Sequence, residues 1–526
     1  MRVQRLLRTW RPAQIIDSVT ATDRPEVRET HSGLVVLVGD RAYKTKRPVR
    51  TEFLDFSTPA LRERACLREV ELNSRLAPAA YLGIAHLTGP GPGEREPVVV
   101  MRRYPDTARL SNRLDGSAIE DELRSVAGVL AGFHGAARRA PEIDGAAGTT
   151  ALAGLWRESI DDMRRFVDWV LPDADLDLVA ALSGRYLAGC AGLFAARVAD
   201  RRIVDGHGDL LADDIFWSGD GPMLLDCLDF DDRLRYLDGI DDAAFLAMDL
   251  EFHGRPDLAQ QFLDDYRAAA GDPAPASLAD FYIAYRALVR AKVDCIRVEQ
   301  GYPAAAADAQ RHLRIAGAHL CAAVPRLVLV GGGPGTGKST LSRALAERVG
   351  AVVISTDDVR RELVAAGALD GEPGAVGAGL YAPEKVAAVY REVLRRAGTA
   401  LSGGLSVILD GTWRDTAQRA AAGELAQGHG AALLDLVCEI PLAAAQQRIT
   451  GRVGGTSDAT VEVAEALAAG AAGGERTGAL RVDTGRPIGE LVDEIGRRYR
   501  GCVAGDSGVP DWGPHALTGD GPAAIR

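Results

Sequence analysis

Short apolar runs bounded by polar turns dominate the first hundred residues, and longer helical periods follow them. Residues 34–46, LVVLVGDRAYKTK, predict two strands joined by a Gly-Asp turn, and residues 96–104 predict a further short strand. Apolar side chains recur with helical spacing over residues 58–78, over most of 117–200 and over 241–322. A strand-rich start followed by a helical bulk predicts an α+β domain with two lobes.

A regular alternation of strand-like runs and amphipathic helices begins near Pro325. This alternation predicts a doubly wound α/β domain around a parallel sheet. A chain of 526 residues is too long for one core. We therefore expect two domains, 1–322 and 325–505, followed by a disordered tail over 506–526 that is rich in Gly and Pro. The predicted strands of the second domain are 327–331, 351–355, 405–410 and 433–439.

The formal charge of −12 argues against a general nucleic-acid binder, which needs basic surface to displace counterions. It tolerates a cationic substrate, although solubility alone also accounts for it. The seven cysteines are scattered and include no CxxC pair, so we expect reduced thiols, a cytoplasmic setting and no zinc site. The basic N-terminus lacks the apolar core of a signal peptide. No apolar run reaches the length of about 18 residues that a membrane helix needs, so we expect no membrane span.

The strongest local motif is GGPGTGKS at residues 332–339, which follows a predicted strand and precedes a predicted helix. Its glycines let backbone N–H groups surround phosphate oxygens, and Lys338 reaches the β and γ phosphates. The hydroxyl of Ser339 is a ligand for Mg²⁺. The motif therefore predicts a site for ATP and Mg²⁺. The predicted nucleotide-binding residues are Gly332, Gly333, Pro334, Gly335, Thr336, Gly337, Lys338, Ser339 and Thr340.

Acidic residues follow two later strands of the same domain. Asp357 and Asp358 come at the carboxyl end of a strand, where α/β sheets bind ligands. A carboxylate there accepts the proton of a hydroxyl that attacks the γ-phosphate, and Arg360 is placed to hold an anionic group. The alternative is a helix start capped by Asp. Asp410 ends the third strand and is expected to hold a water molecule bound to Mg²⁺.

Arg448 and Arg452 are four residues apart and fall on one face of a predicted helix. Two arginines on a lid clamp the charge of the migrating phosphate, which makes both residues candidate nucleotide ligands. The alternative is a solvated arginine face in an arginine-rich chain. Residues 481–485, RVDTG, are expected near the adenine ring.

The second half resembles the small P-loop kinases related to polynucleotide 5′-kinase, gluconate kinase and the zeta-toxin group. The motif S/R-D-x-x-R of these kinases carries a catalytic base and a substrate-binding arginine, and it matches Asp357 and Arg360 here. The resemblance implies ATP-dependent phosphorylation of a hydroxyl. It leaves the acceptor open.

A second polar constellation lies between apolar runs at residues 203–217, IVDGHGDLLADDIFW, and continues in LLDCLDF at 224–230. It resembles the catalytic core of aminoglycoside and choline phosphotransferases, which are relatives of protein kinases. The resemblance implies that Asp209 takes the proton from the acceptor hydroxyl and that Asp214 and Asp226 hold Mg²⁺. Two carboxylates on adjacent hairpin strands suit a cation that bridges phosphates.

Only five of the 61 basic residues are lysine, so each lysine merits attention. The resemblance implies that Lys44 binds the phosphates and that Glu69 holds this lysine in place. Lys46, two residues away, is the rival for the first role, and Glu71 is the alternative for the second. Asp242 is expected to brace the catalytic loop.

The resemblance extends over residues 10–500 to a branch in which a phosphotransferase-like domain is fused to a P-loop kinase domain of the AAA ATP-binding type. The predicted function is that of an Mg²⁺-requiring kinase that acts on a hydroxyl of a small molecule. One departure is Asp214, where the family usually has Asn. It raises the alternative that the first domain is an inactive regulator of a P-loop kinase or ATPase. Aminoglycosides as substrates and the oligomeric state stay open.

Overall fold

The computed structural model describes residues 25–29, 33–50, 55–88, 95–372, 377–451, 461, 463–465 and 478–501. By contacts between residues, the chain divides into two compact units, each described by itself below. Residues 1–148 and 197–274 form the first unit, and residues 149–196 and 275–526 form the second. The domain ranges expected from the sequence stay predictions, and the tail over 506–526 lies outside the described residues.

The helices and strands of the described residues are numbered here along the chain. The helices are α1 (Pro59–Asn73), α2 (Ile119–Ala136), α3 (Pro141–Asp144), α4 (Thr149–Arg164), α5 (Asp173–Gly189), α6 (Ala191–Ala199), α7 (Gly239–Phe252), α8 (Pro256–Ala270), α9 (Ala276–Glu299), α10 (Ala305–Ala323), α11 (Lys338–Val349), α12 (Thr356–Ala365), α13 (Pro383–Ser402), α14 (Thr416–Gly428), α15 (Leu442–Thr450) and α16 (Ile488–Gly501). The strands are β1 (Glu26–Glu29), β2 (Gly33–Val38), β3 (Arg41–Lys46), β4 (Tyr81–Thr88), β5 (Arg95–Arg102), β6 (Ile203–Asp205), β7 (Ile215–Ser218), β8 (Gly221–Leu224), β9 (Tyr236–Asp238), β10 (Arg326–Gly331), β11 (Val352–Ser355), β12 (Val407–Asp410), β13 (Ala432–Glu439) and β14 (Leu480–Asp483).

An antiparallel sheet in the order β1-β2-β3-β5-β4 opens the first unit. The predicted Gly-Asp turn joins β2 to β3, and Gly39 adopts a φ of +54° there. Helix α1 packs on this sheet. The side chain of Thr58 accepts a hydrogen bond from the backbone N–H of Leu61, and Pro59 occupies the first helical position, which together fix the start of the helix.

Two small hairpin-like sheets complete the first unit. β6 pairs with β9, and β7 pairs with β8, both antiparallel. The fully buried helix α7 begins beside them, where the Asp238 side chain accepts a hydrogen bond from the N–H of Ile240. This arrangement places the HGDL loop between β6 and β7 and the acidic end of the LLDCLDF segment just after β8.

A parallel sheet in the order β11-β12-β10-β13-β14 forms the centre of the second unit. One apolar core packs beneath α12, α13 and α14, and a second packs beneath α11 and α16 on the other face. β10 and β12 are buried at every position, as expected for central strands of a doubly wound sheet. The structure confirms the expected fold class, a bilobal kinase-like domain followed by a doubly wound P-loop domain.

Residues of α5, α6 and α9 contact the amino-terminal ends of the strands of this parallel sheet within the second unit. The Ser277 hydroxyl donates to the carbonyl of Gly404 at 2.6 Å, and the N–H of Gly192 donates to the Ser402 hydroxyl at 3.2 Å. Arg185 donates to the carbonyl of Gly430. The strand edge opposite the P-loop is therefore covered by helices from earlier in the chain.

Two further predictions concern the whole described part of the chain. Its six cysteines are all free thiols, and the expectation of a reducing setting stays a prediction. Among the described helices, no single one has the length and apolar content to cross a membrane. Only α5 and α6 taken together, with a bend of 61° between them, reach that length and content.

Candidate active sites

Lys44 and Lys46 share one carboxylate in the first unit. Lys44 Nζ lies 2.9 Å from Glu69 Oε1 and 2.6 Å from Asp226 Oδ1. Lys46 Nζ lies 2.7 Å from Glu69 Oε2 and 2.9 Å from Asp229 Oδ2. Only Lys44 therefore links the α1 carboxylate to Asp226, as the first of the two rival assignments requires.

Glu69 rather than Glu71 is the carboxylate that faces the lysines. The Glu69 side chain is 1% exposed, whereas that of Glu71 is 69% exposed and pairs with Arg68 on the surface. Burial alone would lower the pKa of Lys44, but the carboxylates of Asp226 and Glu69 outweigh it and raise that pKa well above its usual value. Lys44 in turn lowers the pKa of Asp226. The two opposite shifts both favour the charged forms, so Lys44 and Asp226 stabilise each other's charge beside Glu69.

The buried carboxylate of Asp242 accepts hydrogen bonds from the backbone of the HGDL loop. Asp242 Oδ2 accepts from the backbone N–H of His207 at 2.6 Å, and Oδ1 accepts from that of Gly208 at 2.9 Å. His207 accepts a hydrogen bond at Nδ1 from the Asp209 N–H and donates from Nε2 to the carbonyl of Leu225. Burial lowers the pKa of His207, which agrees with a neutral ring in this pattern. Asp209 is thus presented by a fixed loop, and Asp242 braces it.

Asp214 and Asp226 flank the hairpin of β7 and β8. The Leu225 N–H donates to the carbonyl of Asp214 at 2.9 Å, which brings Asp226 beside it. Burial and the neighbouring carboxylates of Asp226 and Asp209 raise the pKa of Asp214 well above its usual value. Two carboxylates that repel each other are suitable ligands for a hard cation such as Mg²⁺. The remaining coordination positions of such an ion would suit phosphate oxygens and water. Among the described residues, no group of three or more His, Cys, Asp or Glu side chains is placed to hold a metal.

An aromatic pair packs beside the hairpin of β7 and β8. Tyr104 follows β5 and stacks on Phe216 of β7 with ring centroids 5.5 Å apart. Phe216 belongs to a buried cluster that includes Val99, Leu225 and Tyr81. Neither aromatic residue was singled out by the sequence pattern, in which each reads as an ordinary core residue.

The P-loop of the second unit has the backbone that its glycines permit. Gly332, Gly335 and Gly337 adopt φ values of +138°, +75° and +87°. Lys338 Nζ donates to the carbonyl of Gly333 at 2.7 Å, so the ammonium lies over the loop that would hold the phosphates. The Thr336 hydroxyl donates to the same carbonyl at 2.8 Å.

Ser339 and Asp410 meet at the carboxyl ends of neighbouring strands. Asp410 ends β12, and Val330 of β10 is its partner in the parallel register. Burial raises the pKa of Asp410, while a hydrogen bond from Ser339 and the charge of Lys338 oppose that rise. A serine hydroxyl and a carboxylate are both oxygen ligands, so this pair also fits Mg²⁺.

Asp357 and Arg360 lie one turn apart at the start of α12. The residue whose side chain caps this helix is Ser355, which accepts from the N–H of Asp357 at 3.2 Å. Arg360 donates to Asp357 Oδ1 at 2.7 Å, and its guanidinium lies 4.6 Å from the centre of the Tyr381 ring. The Asp357 carboxylate is thus available for a role other than capping.

Arg448 contacts the wall of the P-loop. Its guanidinium donates to the carbonyl of Thr484 at 2.9 Å, and the Thr484 hydroxyl donates to the carbonyl of Thr336 at 2.7 Å. The RVDTG segment therefore lies beside the P-loop, on the side where Arg448 holds it. Arg452, the second predicted arginine, lies outside the described residues.

Comparison with known proteins found a family model for part of the chain and relatives over most of it. A family model described as "AAA domain" matches residues 327–473. Uncharacterized protein Rv2004c of Mycobacterium tuberculosis (strain ATCC 25618 / H37Rv) is 52% identical over 490 residues, which make up 93% of this chain and 98% of that protein.

Two solved structures have similar folds. A choline/ethanolamine kinase family protein from Mesorhizobium loti is 14% identical, with a TM-score of 0.38, and the match covers 61% of this chain and 99% of that one. A gluconokinase from Sinorhizobium meliloti 1021 is 19% identical, with a TM-score of 0.26, and the match covers 35% of this chain and 98% of that one. The fold assignment itself follows from the strand order and pairing given above.

Proposed function

The chain belongs to the same family as protein Rv2004c of Mycobacterium tuberculosis, and on that premise we propose that it is an ATP-dependent, Mg²⁺-requiring kinase for a small-molecule hydroxyl. Each of its two domains would bind one nucleotide. The observation that carries the proposal is the position of Lys44, whose ammonium joins Glu69 to Asp226 in the first domain. A complete P-loop with Lys338 supports the same activity in the second.

The second domain has the groups that phosphoryl transfer needs at one edge of its sheet. Lys338 would hold the β and γ phosphates, and Ser339 with Asp410 would hold Mg²⁺, which neutralises charge on the phosphates when it is bound. Asp357 is placed to accept the proton of the attacking hydroxyl. Arg360 would orient the acceptor beside it.

The first domain has the same set of groups in a different fold. Lys44 would bind the phosphates, and Asp214 and Asp226 would hold the metal. Asp209 would take the proton from the acceptor on its fixed loop.

Calorimetric titration with a non-hydrolysable ATP analogue and Mg²⁺ tests the two nucleotide sites. We expect two sites per chain in the native protein, one in Lys338→Ala and none in the double variant Lys338→Ala with Lys44→Ala. Lys385→Ala, a lysine on α13 that pairs with Asp370, serves as the control and should keep both sites. A single site in the native protein would show that only one domain binds nucleotide.

Turnover is tested by coupling ADP release to a spectrophotometric assay against a panel of small hydroxyl compounds. In protein whose first site is disabled by Lys44→Ala, Asp357→Asn should lower transfer by at least about 100-fold while leaving nucleotide binding at the second site intact. Its neighbour Asp358 is exposed and pairs with Arg361, so Asp358→Asn is a matched control. For the first domain, Asp209→Asn is compared with Asp213→Asn in protein whose second site is disabled by Lys338→Ala. Unchanged turnover in both Asp357→Asn and Asp209→Asn would contradict the proposed bases.

A further inference from the structure

Asn73, the last residue of α1, joins two parts of the first site through its side-chain amide. It is 0% exposed. Its Nδ2 donates to the carbonyl of Glu69 at 2.9 Å, and its Oδ1 accepts from the backbone N–H of Cys227 at 2.8 Å. Because a carbonyl only accepts and an N–H only donates, these two partners fix the orientation of the amide. One side chain thus ties the helical turn of Glu69 to the residue that follows Asp226.

The backbone at Asp226 needs such support. Its φ of +61° lies in the left-handed region, which costs a residue with a side chain about 1 kcal/mol or more. The N–H groups on both sides of this strained residue are held by side chains from elsewhere in the unit. Asp226 N–H donates to the Tyr81 hydroxyl at 3.3 Å, and Cys227 N–H donates to Asn73.

These two contacts determine where the Asp226 carboxylate points. It lies 2.6 Å from Lys44 Nζ, and its side chain is still 53% exposed. A half-exposed carboxylate on a strained backbone would lose its direction without the contacts to Asn73 and Tyr81. An apolar residue at position 73 would leave the buried Cys227 N–H without this acceptor, so the amide supports the backbone next to Asp226 as well as the packing of α1.

We propose that Asn73 is a positioning residue for the metal-bound nucleotide of the first domain, because it fixes the Asp226 carboxylate relative to the Lys44–Glu69 pair. The inference rests on the proposed function of that domain. It requires that the loss of Asn73 weakens the contribution of Mg²⁺ to nucleotide binding more than it weakens the binding of nucleotide alone.

The test uses full-length protein with Lys338→Ala, so that calorimetry reports on the first domain only. The affinity for a non-hydrolysable ATP analogue is measured with Mg²⁺ and with EDTA, and the ratio of the two affinities is compared between variants. Asn73→Leu should lower this ratio about tenfold, the usual effect of losing a group that orients a metal ligand. Tyr81→Phe removes the second contact and should lower it about threefold, in line with one hydrogen bond.

Glu122→Gln is the matched control. Glu122 lies on α2, is also buried, and pairs with Arg113, which precedes that helix. Its substitution should therefore reduce stability and leave the ratio of affinities with and without Mg²⁺ unchanged. Two results in Asn73→Leu and Tyr81→Phe would overturn the role of Asn73: an equal loss of affinity with and without Mg²⁺, or no loss of affinity in either variant. Both results would leave the proposed function standing. If Asn73→Leu fails to fold, Tyr81→Phe decides the question. Absence of nucleotide binding when Asn73 and Tyr81 are intact would overturn the proposed function and this inference together.

Discussion

The Asp242 carboxylate lies 2.6 Å from the backbone nitrogen of His207, although 35 residues separate the two in sequence. It also accepts hydrogen bonds from Gly208 and from the His134 ring, and it is fully buried. Three hydrogen-bond donors stabilise this buried charge, and all three would lose their charged acceptor if it were removed. The loop that presents Asp209 is therefore anchored to α7 by Asp242, and Asp249 of the same helix accepts from the N–H of Ala212 farther along that loop.

Asp242→Asn should destabilise the first unit by about 3 kcal/mol, because an amide oxygen cannot accept all the hydrogen bonds that the two carboxylate oxygens accept. Chemical denaturation followed by circular dichroism measures the loss. Asp241→Asn, one residue earlier on the same helix, is the comparison. A loss below about 1 kcal/mol in Asp242→Asn would show that the loop keeps its shape by other contacts.

The same residue predicts a dependence on pH. Burial would raise the pKa of Asp242, but the hydrogen bond and charge of His134 and the donors at His207 outweigh it and hold that pKa well below its usual range. The stabilisation is then fully present above the unfolded pKa of about 3.9 and is lost as the pH falls from there toward the folded value. The stability difference between the native protein and Asp242→Asn should therefore shrink below about pH 4. A constant difference from pH 7 to pH 3 would contradict this assignment.

Gly335→Ala should abolish nucleotide binding in the second domain. An added Cβ would lie 2.5 Å from the carbonyl oxygen of Ala445, and the φ of +75° disfavours any side chain. Gly428→Ala at the end of α14, outside the P-loop, is the control, because its Cβ would meet nothing within 4 Å. Calorimetry on protein with Lys44→Ala isolates this site. Gly428→Ala should keep the affinity within about threefold, and equal affinities for the two variants would refute the steric argument.

Gly404→Ala should weaken the contact between the helices and the P-loop sheet in the second unit. Its φ is +77°, and an added Cβ would lie 2.8 Å from the Ser277 hydroxyl and 2.9 Å from Leu193. We expect a loss of about 1–3 kcal/mol in thermal or urea unfolding. Gly428→Ala, where a Cβ would meet nothing within 4 Å, should leave stability unchanged or increase it slightly. A larger loss of stability in Gly428→Ala than in Gly404→Ala would be inconsistent with the contact described.

The buried thiols should react slowly in the native protein. Burial raises the pKa of Cys66, Cys190, Cys227 and Cys295 to about 12 in each case. At pH 8 only about one in 10⁴ of such thiols is a thiolate, the form that iodoacetamide attacks. Peptide mapping by mass spectrometry should therefore find labelling of these four cysteines at least about 100-fold slower than in urea. Rapid native labelling of Cys227 would show that the segment after Asp226 opens often.

Local motifs carried most of what the sequence predicted about the sites. GGPGTGKS and HGDL combine a backbone shape with a chemical group within a few residues, so their roles are visible without knowledge of the fold. The choice between Lys44 and Lys46 is different, because both fall on the same face of one strand. Only the position of Asp226, 182 residues later, distinguishes them.

Other features were missed because their partners are far away in sequence. The buried face of α1 includes Arg62, Glu69 and Asn73, so apolar periodicity marks it poorly. Strand β4 has a bulge beside Gly83, and its mix of buried, half-buried and exposed positions does not follow the regular alternation by which a strand is identified in sequence. Strand β14 is only four residues long, and the RVDTG motif reads as a loop. Such elements become visible only when the neighbouring strands are in place.

Helices from earlier in the chain cover the amino-terminal ends of the strands in the P-loop sheet. Ser277, Gly192 and Arg185 contact the loops that precede β12 and β13 there. Lys338, Asp357 and Asp410 lie at the opposite, carboxyl ends of the strands. On the proposed function, nucleotide and acceptor would share that end of the sheet, and a compound bound across it would compete with both substrates at once.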